Sequence, residues 1–108
     1  MQKVAEKRIY ERIPVDLKSR FSYGNIFNSG TITNLSKKEM FIKTENVIPV
    51  DSVITVIMHT GKELFQVFAK VKRLNRTAEH YDGMDIEIIS SNYNYLKYVK
   101  SLASVYTN

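Results

Sequence analysis

Residues 52–74, SVITVIMHTGKELFQVFAKVKRL, indicate the fold class of this chain. Its first part, residues 52–58, is a β-branched run typical of a strand. His59-Thr60-Gly61-Lys62 then has the composition of a turn, and residues 63–74 resume as a long strand. Two strands joined by a short turn form a hairpin, so this stretch predicts antiparallel β-structure.

Further strands are predicted on both sides of this hairpin. Apolar and polar residues alternate over residues 15–23, which is the period of a half-buried strand. Residues 75–82 are polar and predict a loop. Short β-branched or alternating runs predict three more strands, at residues 31–35, 40–44 and 84–88. Six strands at short spacing indicate an all-β domain, either an antiparallel barrel or a sandwich.

The two ends of the chain differ from this β pattern. Near the C-terminus, Tyr95, Val99 and Tyr106 belong to an apolar set at helical spacing, and Ser90 or Ser91 is available as the helix cap. Residues 1–12 lack an apolar period, so we expect a flexible, arginine-bearing arm over residues 1–14. The predicted organisation is this arm followed by one mainly all-β domain, residues 15–108, that ends in a helix.

Composition restricts the classes of function. The 108 residues include no cysteine, which excludes disulfides, cysteine-ligated zinc and thiol catalysis. The N-terminal residues contain no signal-peptide core, and no apolar run approaches the ~20 residues of a membrane span. We therefore expect a cytoplasmic protein without membrane insertion. The net charge of +5 favours anionic partners, among them nucleotides, nucleic acid and acidic protein surfaces.

No arrangement of catalytic residues is recognisable in the sequence. His59 and His80 lie in predicted turns without neighbouring metal ligands. Asp82, Asp85 and Glu87 lie close together near the sixth strand, but carboxylates without a pocket or a nucleophile usually form a solvated face. The sequence has no catalytic triad and no glycine loop that would cradle phosphates. We predict a protein that is not an enzyme and has no metal site.

Two short stretches carry groups suited to binding a nucleotide. In KRIYERIPV, residues 7–15, Arg8 and Arg12 precede a strand, and arginine both pairs with phosphate and stacks on a base. In NLSKKEMFI, residues 34–42, an amide and a hydroxyl are two residues apart, at Asn34 and Ser36. In an extended chain such side chains face the same way, so together they can meet the polar edge of a base.

These stretches resemble the RxxxR and [D/N]xSxxG motifs of PilZ domains, in the same order and at a similar separation. Arg8 and Arg12 match the first motif, and Asn34 and Ser36 match the second. The similarity continues through the strand that follows the second motif, the hairpin, the last strand and the final helix. It therefore covers nearly the whole chain.

The resemblance implies a structure and a function. The structure is a six-stranded antiparallel barrel of the PilZ type with a C-terminal helix. The function is reception of the bacterial second messenger cyclic di-GMP, with the arginines on phosphates and guanine faces and with Asn34 and Ser36 on a guanine edge. The resemblance also implies that binding reorders the N-terminal arm and that an unidentified partner protein reads the change.

One position of the second motif departs from the family pattern, which has glycine where this chain has Glu39. If the backbone there needs a positive φ, a residue with a Cβ atom costs roughly 1 kcal/mol or more. A carboxylate at this position also repels a ligand that carries two phosphates. Asp85 likewise stands where the family often has a small residue. We include Glu39 in the predicted site and expect it to weaken binding.

Two alternative functions stay open at this point. In the first, the chain is a degenerate PilZ domain that does not bind cyclic di-GMP and acts through protein contacts. In the second, it is a barrel that binds single-stranded nucleic acid through a basic groove and exposed aromatic residues. The sequence disfavours the second, since no strand carries alternating basic and aromatic residues on one face. A homodimer is compatible with the sequence.

Overall fold

The computed structural model describes residues 9–105, which form six strands and one helix. The elements are β1 (Ile13–Tyr23), β2 (Ile26–Leu35), β3 (Glu39–Lys43), β4 (Val53–His59), β5 (Leu64–Thr77), β6 (His80–Ser90) and α1 (Tyr93–Val105). All paired strands are antiparallel, and the order β1-β2-β3-β6-β5-β4 closes into a barrel through β1 and β4. The prediction of a six-stranded antiparallel barrel with a C-terminal helix is confirmed, and the sandwich alternative is wrong.

Alternate residues of every strand fill the interior of the barrel. Successive side chains of a strand point to opposite faces, so the apolar half of each strand turns inward when the sheet closes. Each strand contributes a side chain with an exposed fraction of 1% or less, for example Phe21, Ile32, Met40, Val56, Val67 and Ile86. The alternation in the sequence therefore corresponds to the inside and the outside of the barrel.

The helix α1 packs against the barrel through one apolar stripe. Tyr95, Val99 and Ala103 recur at helical spacing and are fully buried. The Tyr95 ring meets Phe65 of β5 edge to face, with 6.2 Å between centroids. The Tyr95 hydroxyl donates a hydrogen bond of 2.7 Å to the Ser36 carbonyl. Burial, with a smaller effect of Tyr98, raises the pKa of Tyr95 above its ordinary value, so this hydroxyl keeps its proton at neutral pH.

The cap of α1 is Asn92, and the prediction of Ser90 or Ser91 is wrong. The Asn92 side-chain oxygen accepts a hydrogen bond of 2.9 Å from the Tyr95 N–H, which is the usual geometry between a cap and the third helical residue. The strand β6 runs through Ser90, and Ser91 connects the strand to the cap. The chain therefore leaves the sheet too late for either serine to begin the helix.

Several strand bounds differ from the predicted ones. β1 begins at Ile13 and so includes two residues of the predicted arm. β2 begins at Ile26, immediately after a turn in which Gly24 has a φ of 62°. The loop predicted at residues 75–82 is mostly strand, because β5 continues to Thr77 and β6 begins at His80. Its polar side chains lie on a largely exposed hairpin end, where no apolar alternation marks the strands.

Candidate functional site

The last residues of the arm lie against the turn between β2 and β3. Ile9 belongs to the hydrophobic core, and its carbonyl accepts a hydrogen bond of 2.6 Å from the Lys37 N–H. The Lys37 ammonium lies 5.2 Å from the centroid of the Tyr10 ring. These contacts hold the chain just before Arg12 against the barrel. Arg8 lies outside the described residues, so its contact with a ligand stays a prediction, as does the flexibility of the arm.

Arg12 is the centre of a charged group that we call the rim cluster, formed by Arg12, Asn34, Glu39, Lys72, Arg73 and Asp85. Its Nη1 donates to Asn34 Oδ1 at 3.1 Å and to Asp85 Oδ1 at 2.6 Å. Its Nη2 donates to Glu39 Oε1 at 3.0 Å. The structure thus brings together one residue of each sequence motif, Arg12 and Asn34, although they are far apart in sequence.

Each carboxylate of the rim cluster is shared between Arg12 and a cation of β5. The second oxygen of Glu39 accepts from Lys72 Nζ at 3.1 Å. The second oxygen of Asp85 accepts from Arg73 Nε at 3.2 Å. Three cations therefore surround two carboxylates. This arrangement leaves the cluster with an excess of one positive charge.

A β-bulge in β5 explains why two consecutive cations reach the cluster. The register between β5 and β6 shifts between Val71 and Arg73, and both Lys72 and Arg73 are exposed although strand alternation would turn one inward. Arg73 pairs with Asp85 across the two strands. Asp85 was predicted to be part of a solvated face, but only 16% of its side chain is exposed and two arginines contact it.

The electrostatics of the cluster favour the charged forms of Arg12 and Glu39. Partial burial alone would lower the pKa of Arg12, but the hydrogen bonds and charges of Asp85 and Glu39 raise it above its ordinary value. Hydrogen bonds from Arg12 and then from Lys72 hold the pKa of Glu39 below its ordinary value, against a smaller opposing effect of burial. At neutral pH these contacts are therefore ion pairs.

Ser36 holds the turn that leads into β3. Its hydroxyl donates to the Glu39 carbonyl at 3.2 Å and accepts from the N–H groups of Lys38 at 3.2 Å and Glu39 at 3.0 Å. The residue is 1% exposed. Because β2 ends at Leu35, the alternation that was expected to set Asn34 and Ser36 side by side stops before Ser36. Contact between this hydroxyl and a ligand stays a prediction, and it requires the turn to open.

The steric part of the expectation for Glu39 is wrong. Among the non-glycine residues that the structure describes, only Asp51 and Ala78 have a positive φ. Glu39 is the first residue of β3 and has an ordinary strand backbone. Its side chain, rather than its backbone, therefore sets this chain apart from the family motif. That side chain places a carboxylate 3.0 Å from the Arg12 guanidinium.

The remaining features of residues 9–105 concern metal binding and membrane spanning. Within this range no group of three or more histidine or acidic side chains is arranged to hold a metal ion. No helix in the same range is long and apolar enough to cross a membrane. His59 Nδ1 accepts a hydrogen bond of 3.2 Å from the Gly61 N–H in the β4–β5 turn. His80 Nε2 lies 3.6 Å from Asp82 Oδ1.

Solved structures of known proteins share this architecture. No protein-family model matches the chain, and no curated protein matches it either. Among solved structures, the Bacillus subtilis inhibitor of motility (MotI/DgrA), a PilZ-domain protein, superposes with a TM-score of 0.76 at 11% sequence identity. The fold is PilZ-like. The match covers 91% of this chain and 50% of MotI/DgrA, so this PilZ-like chain spans half of that protein's length.

Proposed function

We propose that this chain is a receptor for cyclic di-GMP that binds the nucleotide at the rim cluster and has no catalytic activity. The observation that carries the proposal is the 3.1 Å contact between Arg12 and Asn34, one residue from each of the two motifs. An arginine fork beside an amide can pair with a phosphate and with the polar edge of a base. The PilZ-like fold supports the same assignment.

Binding requires Arg12 to exchange its carboxylate partners for phosphate oxygens. Lys72 and Arg73 already hold the other oxygen of Glu39 and of Asp85, respectively. Each carboxylate therefore keeps a cation when Arg12 turns to the ligand. This arrangement lowers the cost of releasing Arg12, because no carboxylate is left unpaired.

The proposed signal is a movement of the arm that a partner protein reads. The segment before Arg12 is tied to Lys37 through the Ile9 carbonyl, and the neighbouring Ser36 carbonyl is tied to Tyr95 of α1. A shift of Arg12 would thus act on contacts that run from the arm through the β2–β3 turn to α1. These contiguous contacts between the arm and α1 support the proposed movement. A double-mutant cycle would measure the coupling energy between the two regions.

Calorimetric titration with cyclic di-GMP tests the site. Arg12→Ala should weaken binding at least about tenfold, since it removes a charge-assisted bidentate donor. Arg8→Ala should also weaken it. The control is Lys97→Ala, which removes one positive charge from the exposed side of α1 and should leave the affinity unchanged. If the wild-type chain gives no binding heat, or if Arg12→Ala binds as well as the control, the receptor function is wrong.

Two substitutions of Glu39 separate its charge from its size. Glu39→Gln keeps the size and removes the charge, whereas Glu39→Gly removes both. Because Glu39 competes with phosphate for Arg12 and its backbone is that of a strand, both should tighten binding by a similar factor, roughly 3- to 10-fold. Tighter binding by Glu39→Gly alone would instead identify size as the obstacle. Weaker binding by both would mean that Glu39 assists the ligand.

A second candidate is a degenerate PilZ domain that acts through protein contacts alone. The observation that favours it is that Arg12 already holds two carboxylates, at 2.6 Å and 3.0 Å. The Ser36 hydroxyl also favours it, because this group is buried and its hydrogen bonds are all made within the turn. If neither the wild-type chain nor Glu39→Gly binds cyclic di-GMP, this second function replaces the first.

A further inference from the structure

A second surface of the barrel combines cations with exposed apolar side chains, and we call it the outer face. It is formed by outward-pointing residues of the adjacent strands β2, β1, β4 and β5: Lys18, Arg20, Phe27, Ile57, His59 and Leu64. The register sets Lys18 beside His59, which stands beside Leu64, and sets Arg20 beside Ile57. Side chains at such matched positions are neighbours on one side of a sheet.

The outer face contains a groove that can receive side chains of a partner. The groove has a volume of ≈ 600 Å³, and Lys18, Arg20, Ile57, His59 and Leu64 contribute to its walls. Leu64 is 66% exposed and, at the rim of the same face, Phe27 is 58% exposed. Exposed apolar residues that cluster beside a groove are typical of an interaction surface.

No acid among residues 9–105 neutralises the charge of this groove. None of its lining residues is acidic. Within residues 9–105, neither Lys18 nor Arg20 has a carboxylate oxygen within 4.0 Å, whereas Arg12 has two. Two cations two residues apart on β1 lie roughly 6.6 Å from each other along the strand. A partner with two carboxylates at this separation would therefore pair with both.

The apolar groups favour a protein partner over a nucleic acid. Ile57 and Leu64 are aliphatic, and nucleic acid offers little aliphatic surface to cover them. Base stacking needs an open aromatic face, but the Arg20 guanidinium lies over the Phe27 ring, 5.7 Å from its centroid. That ring face is therefore already covered. Acidic residues with an aliphatic side chain between them match the groove better than phosphates and bases do.

We infer that the outer face binds an acidic segment of a partner protein, with two carboxylates on Lys18 and Arg20 and an aliphatic side chain over Ile57 and Leu64. Glutamates four residues apart on a helix are about 6 Å apart and meet this spacing. The inference does not depend on cyclic di-GMP, because no residue of the rim cluster takes part. It gives the chain a protein-binding surface that is separate from the nucleotide site.

Amide chemical shifts of the isotope-labelled chain test this inference. The probe is a synthetic helical peptide of glutamate, leucine and alanine with glutamates four residues apart. It should shift the amides of residues 18–20, 57–59 and 64, and the Lys18→Glu/Arg20→Glu variant should bind it at least about tenfold more weakly. Lys97→Glu/Lys100→Glu is the matched control, because it changes the net charge equally on the exposed side of α1.

Three results would overturn the inference. The first is a peptide that shifts no amide of the outer face. The second is equal weakening in the outer-face and helix variants, because it would reveal a non-specific effect of net charge. The third is binding of a short oligothymidylate to these residues more tightly than the peptide, which would identify a nucleic-acid surface. A peptide with glutamine at every glutamate should bind weakly if charge pairing drives the contact.

Discussion

The rim cluster and the outer face both carry lysine and arginine, but only the rim cluster contains the acids that neutralise them. Arg12 contacts two carboxylates and an amide. Arg20 contacts an aromatic ring, and no carboxylate among the described residues lies within ion-pairing distance of it. The same residue type is thus part of the folded structure in one region and is available to a partner in the other.

This difference predicts where substitutions act. Hydrogen-bonded ion pairs among partly buried side chains contribute to stability, whereas solvated surface charges contribute little. Changes in the rim cluster should therefore alter both folding and ligand affinity. Changes in the outer face should alter the affinity for a partner and leave folding nearly unchanged. The net charge of the chain does not distinguish these two roles.

Gly83→Ala is expected to have the largest effect, because it separates the strands that support the rim cluster. A Cβ atom at Gly83 would collide with the backbone carbonyl of Ile42 and lie 2.6 Å from the Phe41 ring. β3 and β6 would have to move apart, since a backbone carbonyl cannot turn away. We expect the free energy of unfolding, measured by urea denaturation, to fall by about 2–3 kcal/mol.

The control for this prediction is Gly24→Ala. A Cβ atom at Gly24 meets nothing within 4 Å, but the residue has a φ of 62°, so its substitution tests backbone conformation alone. This change should cost about 1 kcal/mol. If Gly83→Ala costs no more than Gly24→Ala, the contact between β3 and β6 is looser than these distances indicate. The outer face should keep its peptide affinity in any Gly83→Ala molecules that stay folded.

The fold could be predicted because apolar and polar residues alternate along the strands, and this alternation corresponds to the inner and outer faces of the barrel. The hairpin of β4 and β5 carries this signal clearly, with Val56 and Val67 buried on its inner side. The signal fails at the far hairpin of β5 and β6, where side chains of residues 75–80 are exposed on both faces. Because these strand ends have no buried side, their polar sequence resembles a loop. The predicted strands β5 and β6 are therefore too short.

The site was only partly predictable, because motifs identify residues but not strand register. Arg12 and Asn34 are recognisable from their spacing with Arg8 and Ser36, and the structure places the first two in contact. Lys72 and Arg73 carry no such motif. Their place in the rim cluster depends on the bulge in β5 and on the register with β6, and local sequence does not encode which residues lie opposite each other across strands.

Acidification is expected to have a smaller effect, and this effect should distinguish the rim cluster from the outer face. The folded-state pKa of Glu39 lies below its ordinary value of 4.5, so the stability that Glu39 contributes is complete above that value. It is lost as the pH falls through the lower folded-state pKa, when protonation removes the ion pairs with Arg12 and Lys72. Thermal unfolding midpoints should therefore fall less steeply in Glu39→Gln than in the wild-type chain between about pH 5 and about pH 3.

Lys18→Gln should leave the slope of this pH dependence unchanged, because Lys18 has no carboxylate within 4.0 Å among residues 9–105. The two variants thus remove one charge each from regions of opposite character. The contradicting result is that Lys18→Gln reduces the pH dependence of the unfolding midpoint as much as Glu39→Gln does. Long-range repulsion among the cations would then govern acid unfolding, instead of the local ion pairs. In that case the outer face would share its electrostatics with the rim cluster, and the two surfaces would not be independent.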